Sequence, residues 1–322
     1  MKSKRMFAIV WFFFGSALVL SQTAAPQQPL PETPAAAPNI PGVVAAGTKV
    51  ERIWTTVTTS ADGLIAAPGG ILALPQQGAS QISKVDKDGK LTVWLTDTNG
   101  TGGIAFDSKG RVISVERTMP QVRVLLPERK VLLDKYEGKP LEGAADIVAD
   151  LKGGVYVTEG RQTPPASAVY YIDATGKVTR VAAYETERAN GIMLSPDGRT
   201  LYVGNSASDV LIAYDVQADG SIRNRRDFGK LINGRADGLA VDAAGRVYVA
   251  TQVGIQVLSS QAQHLGTIPT PRPVTTIAFA GPDKKTLYFI GRGNDTAGGD
   301  GPNARSLYKI SMLAQGFKGR AK

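Results

Sequence analysis

The sequence predicts an all-β fold: a six-bladed β-propeller closed by an N-terminal strand. Three observations point there. A phrase built from a small or acidic residue, usually a Gly, and a large aliphatic recurs ahead of a turn and a strand. It reads Asp62-Gly63-Leu64, Gly102-Gly103-Ile104, Ala145-Asp146-Ile147, Asn190-Gly191-Ile192, Asp237-Gly238-Leu239 and, decayed, Thr275-Thr276-Ile277. Its spacing of roughly 40 to 45 residues is the period of a four-stranded blade. Short β-branched and aromatic runs dominate, and helix-period patterns are almost absent. A sandwich of similar strand count would not repeat one phrase six times.

Taken in order, residues 1–25 read as a signal peptide. Lys2, Lys4 and Arg5 precede an apolar run from Met6 to Leu20 and the small, polar stretch Ser21 to Ala25. The alternative is an uncleaved anchor. The run is short for a membrane span, and nothing later is long and apolar enough to be one. The chain is therefore expected to be exported, periplasmic or secreted, with no membrane contact beyond this segment. Residues 26–48 are rich in Pro and Ala and almost uncharged, and are expected to form an extended linker. The propeller is expected over 49–314 and a basic C-terminal tail over 315–322.

Within the propeller the blades fall at about 60–98, 99–143, 144–188, 189–235, 236–273 and 274–312. Turns such as Ser195-Pro196-Asp197-Gly198 and Asp242-Ala243-Ala244-Gly245 follow the anchor phrases at a fixed distance, so they close the hairpins between first and second strands. Second strands include Leu201-Tyr202-Val203 and Val247-Tyr248-Val249, third strands Val169 to Asp173 and Val210 to Asp215. The sixth blade lacks an evident outer strand, which the segment from Arg52 to Val57 is placed to supply. That pairing removes the loose terminal edge.

Composition narrows the function classes. With no cysteine there is neither a lipoprotein attachment nor a disulfide framework, so stability must come from packing. The net charge of +9 falls to about +3 once Lys2, Lys4, Arg5, Lys318, Arg320 and Lys322 at the two ends are set aside. No basic run interleaves aromatics, and no nucleic-acid partner is expected.

In a propeller the innermost strands run along the central channel, so the residues ahead of the six aliphatic anchors crowd one mouth: Asp62, Gly102, Ala145, Asn190, Asp237 and Thr275. Asp62, Asn190 and Asp237 are hard oxygen donors of the type favoured by Ca²⁺, Mg²⁺ or Mn²⁺. Each is also an ordinary turn former that can simply cap backbone N–H groups. The one histidine, His264, falls in an outer hairpin. Glu116 and Glu159 end the second strands of blades two and three, from where a side chain can reach the mouth, and Glu142 lies just before Ala145. Arg117, Arg161 and Arg292 are candidates to orient a polyhydroxylated or acidic substrate, or are ordinary surface arginines.

Three stretches carry a family resemblance: Ala189 to Val203 (ANGIMLSPDGRTLYV), Ala236 to Asp242 (ADGLAVD) and Phe279 to Tyr288 (FAGPDKKTLY). They resemble the SMP-30/gluconolactonase/luciferin-regenerating family, and the likeness in blade order runs from about Thr59 to Ile310. The resemblance implies a six-bladed propeller with one divalent cation at the channel mouth, Ca²⁺ first, with Mg²⁺, Mn²⁺ or Zn²⁺ as alternatives. It implies ligands at Asp62, where the family has Glu, and at Asn190 and Asp237, which match unchanged. Ala145 stands where many members have Asn, which removes a metal or substrate contact.

The leading expectation is a gluconolactonase-type hydrolase that opens a small-molecule sugar lactone by metal-assisted water attack. Asp237 is the first candidate to orient or deprotonate that water, with Glu116 and Glu159 next. No Ser-His-Asp arrangement is supported. The competing expectations are a non-catalytic ligand- or protein-binding propeller with a degenerate metal site, and a hydrolase of another ester or a phosphotriester.

Overall fold

A computed structural model describes residues 36–56, 60–160, 167–293 and 303–319. They form six four-stranded antiparallel sheets. The inner strands are Ile65–Ala66, Thr101–Phe106, Ala144–Ala149, Ala189–Leu194, Leu239–Val241 and Val274–Ala280, each carrying or directly following one copy of the repeated phrase. In the first five blades the four strands follow in chain order from inner to outer. In the sixth, the outer strand is Glu51–Thr56, antiparallel to Arg305–Ser311. The propeller closes as the sequence predicts.

The glycine of the phrase has a physical reason. At Gly63, Gly191 and Gly238 a Cβ would meet backbone of the following blade: the Gly102 carbonyl, the Asp237 carbonyl and the Thr275 carbonyl. Two of these approaches are also hydrogen bonds, Gly191 N–H to Asp237 O at 3.1 Å and Gly238 N–H to Thr275 O at 2.9 Å. Only a residue without a side chain lets neighbouring inner strands come that close around the axis.

Between blades, the inner and second strands bury near-continuous apolar runs such as Ile192, Met193, Leu194 and Val247, Tyr248, Val249. The segment expected as a linker differs from expectation over 36–48. Ile40, Val43 and Val44 are buried and join the core of blades five and six with Tyr248, Phe279 and Phe289. The Val43 carbonyl accepts the N–H groups of Leu313 and Ala314. Burial of three branched aliphatics outweighs the extended preference of the surrounding Pro and Ala. The start of the C-terminal tail also packs, with Gly316 bridging Asp242. The expected signal peptide, and Arg161, lie outside the described residues.

Candidate functional site at the channel mouth

Bulges recur at the mouth. The inner-strand register shifts between Thr101 and Gly103, Ala144 and Ile147, Ala189 and Ile192, and Val274 and Thr276. These interruptions fall on Gly102, Ala145, Asn190 and Thr275, four of the six ring positions. A bulged residue leaves the ladder and is re-aimed, here towards the axis. With Asp62 and Asp237, which precede their strands, all six line one narrow chamber. Above it lies a cavity of about 570 Å³ reached by Asp62, Ala145, Asn190, Asp237 and Thr275.

Rotational pseudosymmetry thus brings Asp62, Asn190 and Asp237 together from blades one, four and five. Burial and the Asp62 carboxylate raise the Asp237 carboxyl to about 8, with Arg117 and Arg292 opposing. Among the described residues nothing hydrogen-bonds the Asp237 carboxylate or the Asn190 carboxamide, although their backbone groups are tied to neighbouring blades. Asp62 is different. Its Oδ1 accepts its neighbour's Gly63 N–H at 2.9 Å, and its Oδ2 takes the Arg117 guanidinium at 3.2 Å.

Arg117 is the residue that sequence reasoning underweighted. It follows the second strand of blade two, Val112–Glu116, and its guanidinium enters the mouth. There it donates to Asp62, to Gln77 Oε1 at 3.3 Å and to the Ala145 carbonyl at 3.0 Å. Gly102 makes room, since a Cβ there would run into the Arg117 side chain. Ala145 is thus flanked by a cationic group from the neighbouring blade, which reaches its carbonyl.

Glu116 and Glu159 are placed elsewhere. Glu116 is fully buried inside its blade, where it accepts from Arg123 at 2.7 Å, Asn99 at 2.9 Å, Ser114 and Gln121. With both oxygens engaged it is a structural tie, not a base facing the cavity. Glu159 accepts from the Tyr170 hydroxyl at 2.9 Å and the Glu142 N–H at 2.7 Å, and burial raises its pKa. Neither lines the cavity, whereas Glu142 does. His264 begins the outer strand His264–Ile268 of blade five, remote from the inner strands that form the mouth.

Among the described residues no group of three or more His, Cys, Asp or Glu forms a ready metal cage. The donor set is smaller and mixed: two carboxylates and an amide, two of the three side chains without protein partners among the described residues. That chemistry fits a hard divalent cation completed by water.

A six-bladed propeller whose axis ends in an acid- and amide-bearing mouth under an open polar cavity is the class this fold and site define. A family model described as "SMP-30/Gluconolactonase/LRE-like region" matches residues 78–291, and the chain belongs to that family. It is 23% identical over 295 residues to a gluconolactonase of Zymomonas mobilis, covering 78% of this chain and 81% of the relative. Among solved structures it is similar to a gluconolactonase from Xanthomonas campestris (TM-score 0.72, 22% identity, 90% of this chain and 99% of that one). It is also similar to regucalcin from Agrobacterium tumefaciens, described as a calcium-binding protein (TM-score 0.65, 20% identity, 81% and 94%). At these identities the structural likenesses speak for the fold.

Proposed function

We propose that this protein is an exported, divalent-cation-dependent hydrolase of a sugar-derived lactone. The observation that carries the reading is the meeting of Asp62, Asn190 and Asp237 at one mouth, with the Asn190 and Asp237 side chains unengaged by described residues. Lactonases among the relatives support the reaction class, and the calcium-binding relative supports Ca²⁺ as the first candidate. Export is supported by the basic, apolar, small order of residues 1–25.

Asp62, Asn190 and Asp237 would hold the cation, which when bound supplies Lewis-acid polarisation of a carbonyl oxygen. The chain's own residues do the rest. Asp237 accepts a hydrogen bond from the attacking water and takes its proton as the water oxygen bonds to the lactone carbonyl carbon. The ring C–O bond then breaks, and the proton ends on the departing ring oxygen, giving the open hydroxy acid. Arg117, anchored on Asp62 and the Ala145 carbonyl, presents positive charge towards the oxygen that becomes anionic.

The Arg117–Asp62 ion pair favours a second reading, a non-catalytic binding propeller whose guanidinium neutralises a relict ligand. Calorimetric titration of the purified protein with Ca²⁺, Mg²⁺, Mn²⁺ and Zn²⁺, followed by a lactone panel, separates the two. Binding of one ion together with lactone opening supports the hydrolase; no binding by any ion rejects it. Ala145→Asn should tighten divalent binding several-fold by adding an oxygen donor at the mouth. Unchanged affinity would show that this position does not face the ion.

A further inference from the structure

The outer part of the cavity carries charge that the reaction proposed above does not use. Arg188, Arg292 and Arg305 all line it. Arg292 and Arg305 are direct cross-strand partners in the second and third strands of blade six. Like charges placed directly opposite on neighbouring strands repel one another. Among the described residues no acidic side chain forms a close ion pair with Arg188, Arg292 or Arg305, although Asp237 and Asp62 act on Arg292 and Arg305 through space. The Arg305 guanidinium instead donates to the backbone carbonyls of Asn303 and Ala304, each at 3.0 Å. Burial and the adjacent Arg292 hold the Arg305 pKa below the ordinary arginine value, though the group stays charged at neutral pH.

Their position matters as much as their charge. Arg188 immediately precedes the inner strand of blade four, and the Arg292–Arg305 pair ends blade six. Blade five, which supplies Asp237, lies between them. A ligand whose reacting carbonyl sits at the mouth therefore extends its far end into a rim where three guanidinium groups outnumber the single Glu142 carboxyl. Elsewhere on this protein some exposed arginines find acids, as Arg225 does with Glu187 at 2.6 Å and Arg226 with Asp215 at 2.6 Å. The rim arginines make no such ion pair among the described residues, and planar guanidinium forks are suited to bidentate capture of an oxyanion.

We propose that the substrate is a lactone bearing a second, anionic group remote from its carbonyl, which Arg292 and Arg305 bind together with Arg188. The shared chemistry is a carboxylate or phosphate at the end of the sugar chain opposite the lactone. The inference rests on the small-molecule lactone reading above, but its test does not need turnover.

In metal-free buffer, the full chain should be titrated by calorimetry with gluconate, glucarate and 6-phosphogluconate. The latter two, each with a second anionic group, are expected to bind at least roughly tenfold tighter than gluconate. Glucarate and 6-phosphogluconate tell the carboxylate from the phosphate source by which binds tighter. The double variant Arg292→Ala/Arg305→Ala should abolish this preference, and Arg188→Ala should reduce it. In anion-free buffer Arg292→Ala alone should melt no lower than the parent protein, because it relieves the like-charge contact with Arg305 and removes no described side-chain hydrogen bond. Equal affinity for all three ligands, or a preference that survives in the double and Arg188 variants alike, overturns the inference. A preference for the doubly anionic ligands without hydrolysis of any lactone would reject the hydrolase and leave the anion site standing. Hydrolysis of neutral lactones without the preference would do the reverse.

Discussion

Asp237→Asn is expected to lower lactone turnover by at least about a hundredfold, the scale of losing a group that acts on charge developing in the transition state. It should weaken divalent-cation binding in parallel. The substitution is nearly isosteric and removes no described hydrogen bond of the carboxylate, so the fold should be untouched. It also removes the burial cost of a charged carboxylate and the repulsion from Asp62, which together raise the Asp237 pKa. The metal-free variant should therefore melt at least as high as the parent protein. A loss of activity with retained stability separates a role in the reaction from a role in folding. His264→Ala is the control. Its ring makes one long contact, with the Thr267 hydroxyl at 3.3 Å, on an outer strand. Turnover and ion affinity should stay near parental values. Loss of activity in the His264 variant with retention in the Asp237 variant would remove the reaction from the channel mouth.

Gly191→Val should be among the most damaging single substitutions for stability. The first side-chain carbon would run into the Asp237 carbonyl and the Gly238 Cα of the next blade. Neither can step aside. The Asp237 N–H is bonded to Ala250 O at 3.0 Å, the Gly238 N–H to Thr275 O at 2.9 Å, and the Gly191 N–H itself to Asp237 O. Forcing the ring open at this point should cost about 2–4 kcal/mol, and the melting temperature should fall by roughly 5–10 °C. Because Asp237 shares the displaced segment, ion binding should fall too. Gly198→Ala isolates the alternative cause. Gly198 has a φ of +71° and a Cβ there would meet nothing within 4 Å, so its cost is backbone strain alone, about 1 kcal/mol. If the two substitutions cost the same, close approach of inner strands is not what the repeated glycine serves.

The ring of six mouth positions was legible because a fixed repeat puts equivalent residues at one phase of the blade, and rotation about the axis then stacks them. No knowledge of contacts was required. The closing strand was legible for a related reason: one blade lacked an edge and one unassigned segment had strand character. Arg117 was legible only as one of three arginines able to orient a substrate, with nothing to single it out. Glu116, the last residue of its strand, turns into its blade and is claimed by Arg123 and Asn99. Arg117 beside it turns to the axis. Which of two neighbours faces the channel depends on where the strand ends and the turn begins, a boundary that periodicity does not resolve. The linker reading over 36–48 failed differently. Average composition described the segment correctly, but Ile40, Val43 and Val44 alone decide that it packs.

By itself the sequence determined the number of blades, the order of their strands, the closure of the ring, and the three oxygen-bearing side chains at its mouth. These follow from periodicity, which is a local and repeated property of the chain. Only the tertiary structure decided that Arg117 enters beside Ala145, that Glu116 is consumed as a tie, and that three guanidinium groups without a close ion pair among the described residues gather on one rim. Those outcomes depend on close approach between blades far apart in sequence, where the absence of a Cβ at Gly102 or a cross-strand register in blade six sets the electrostatics of the cavity.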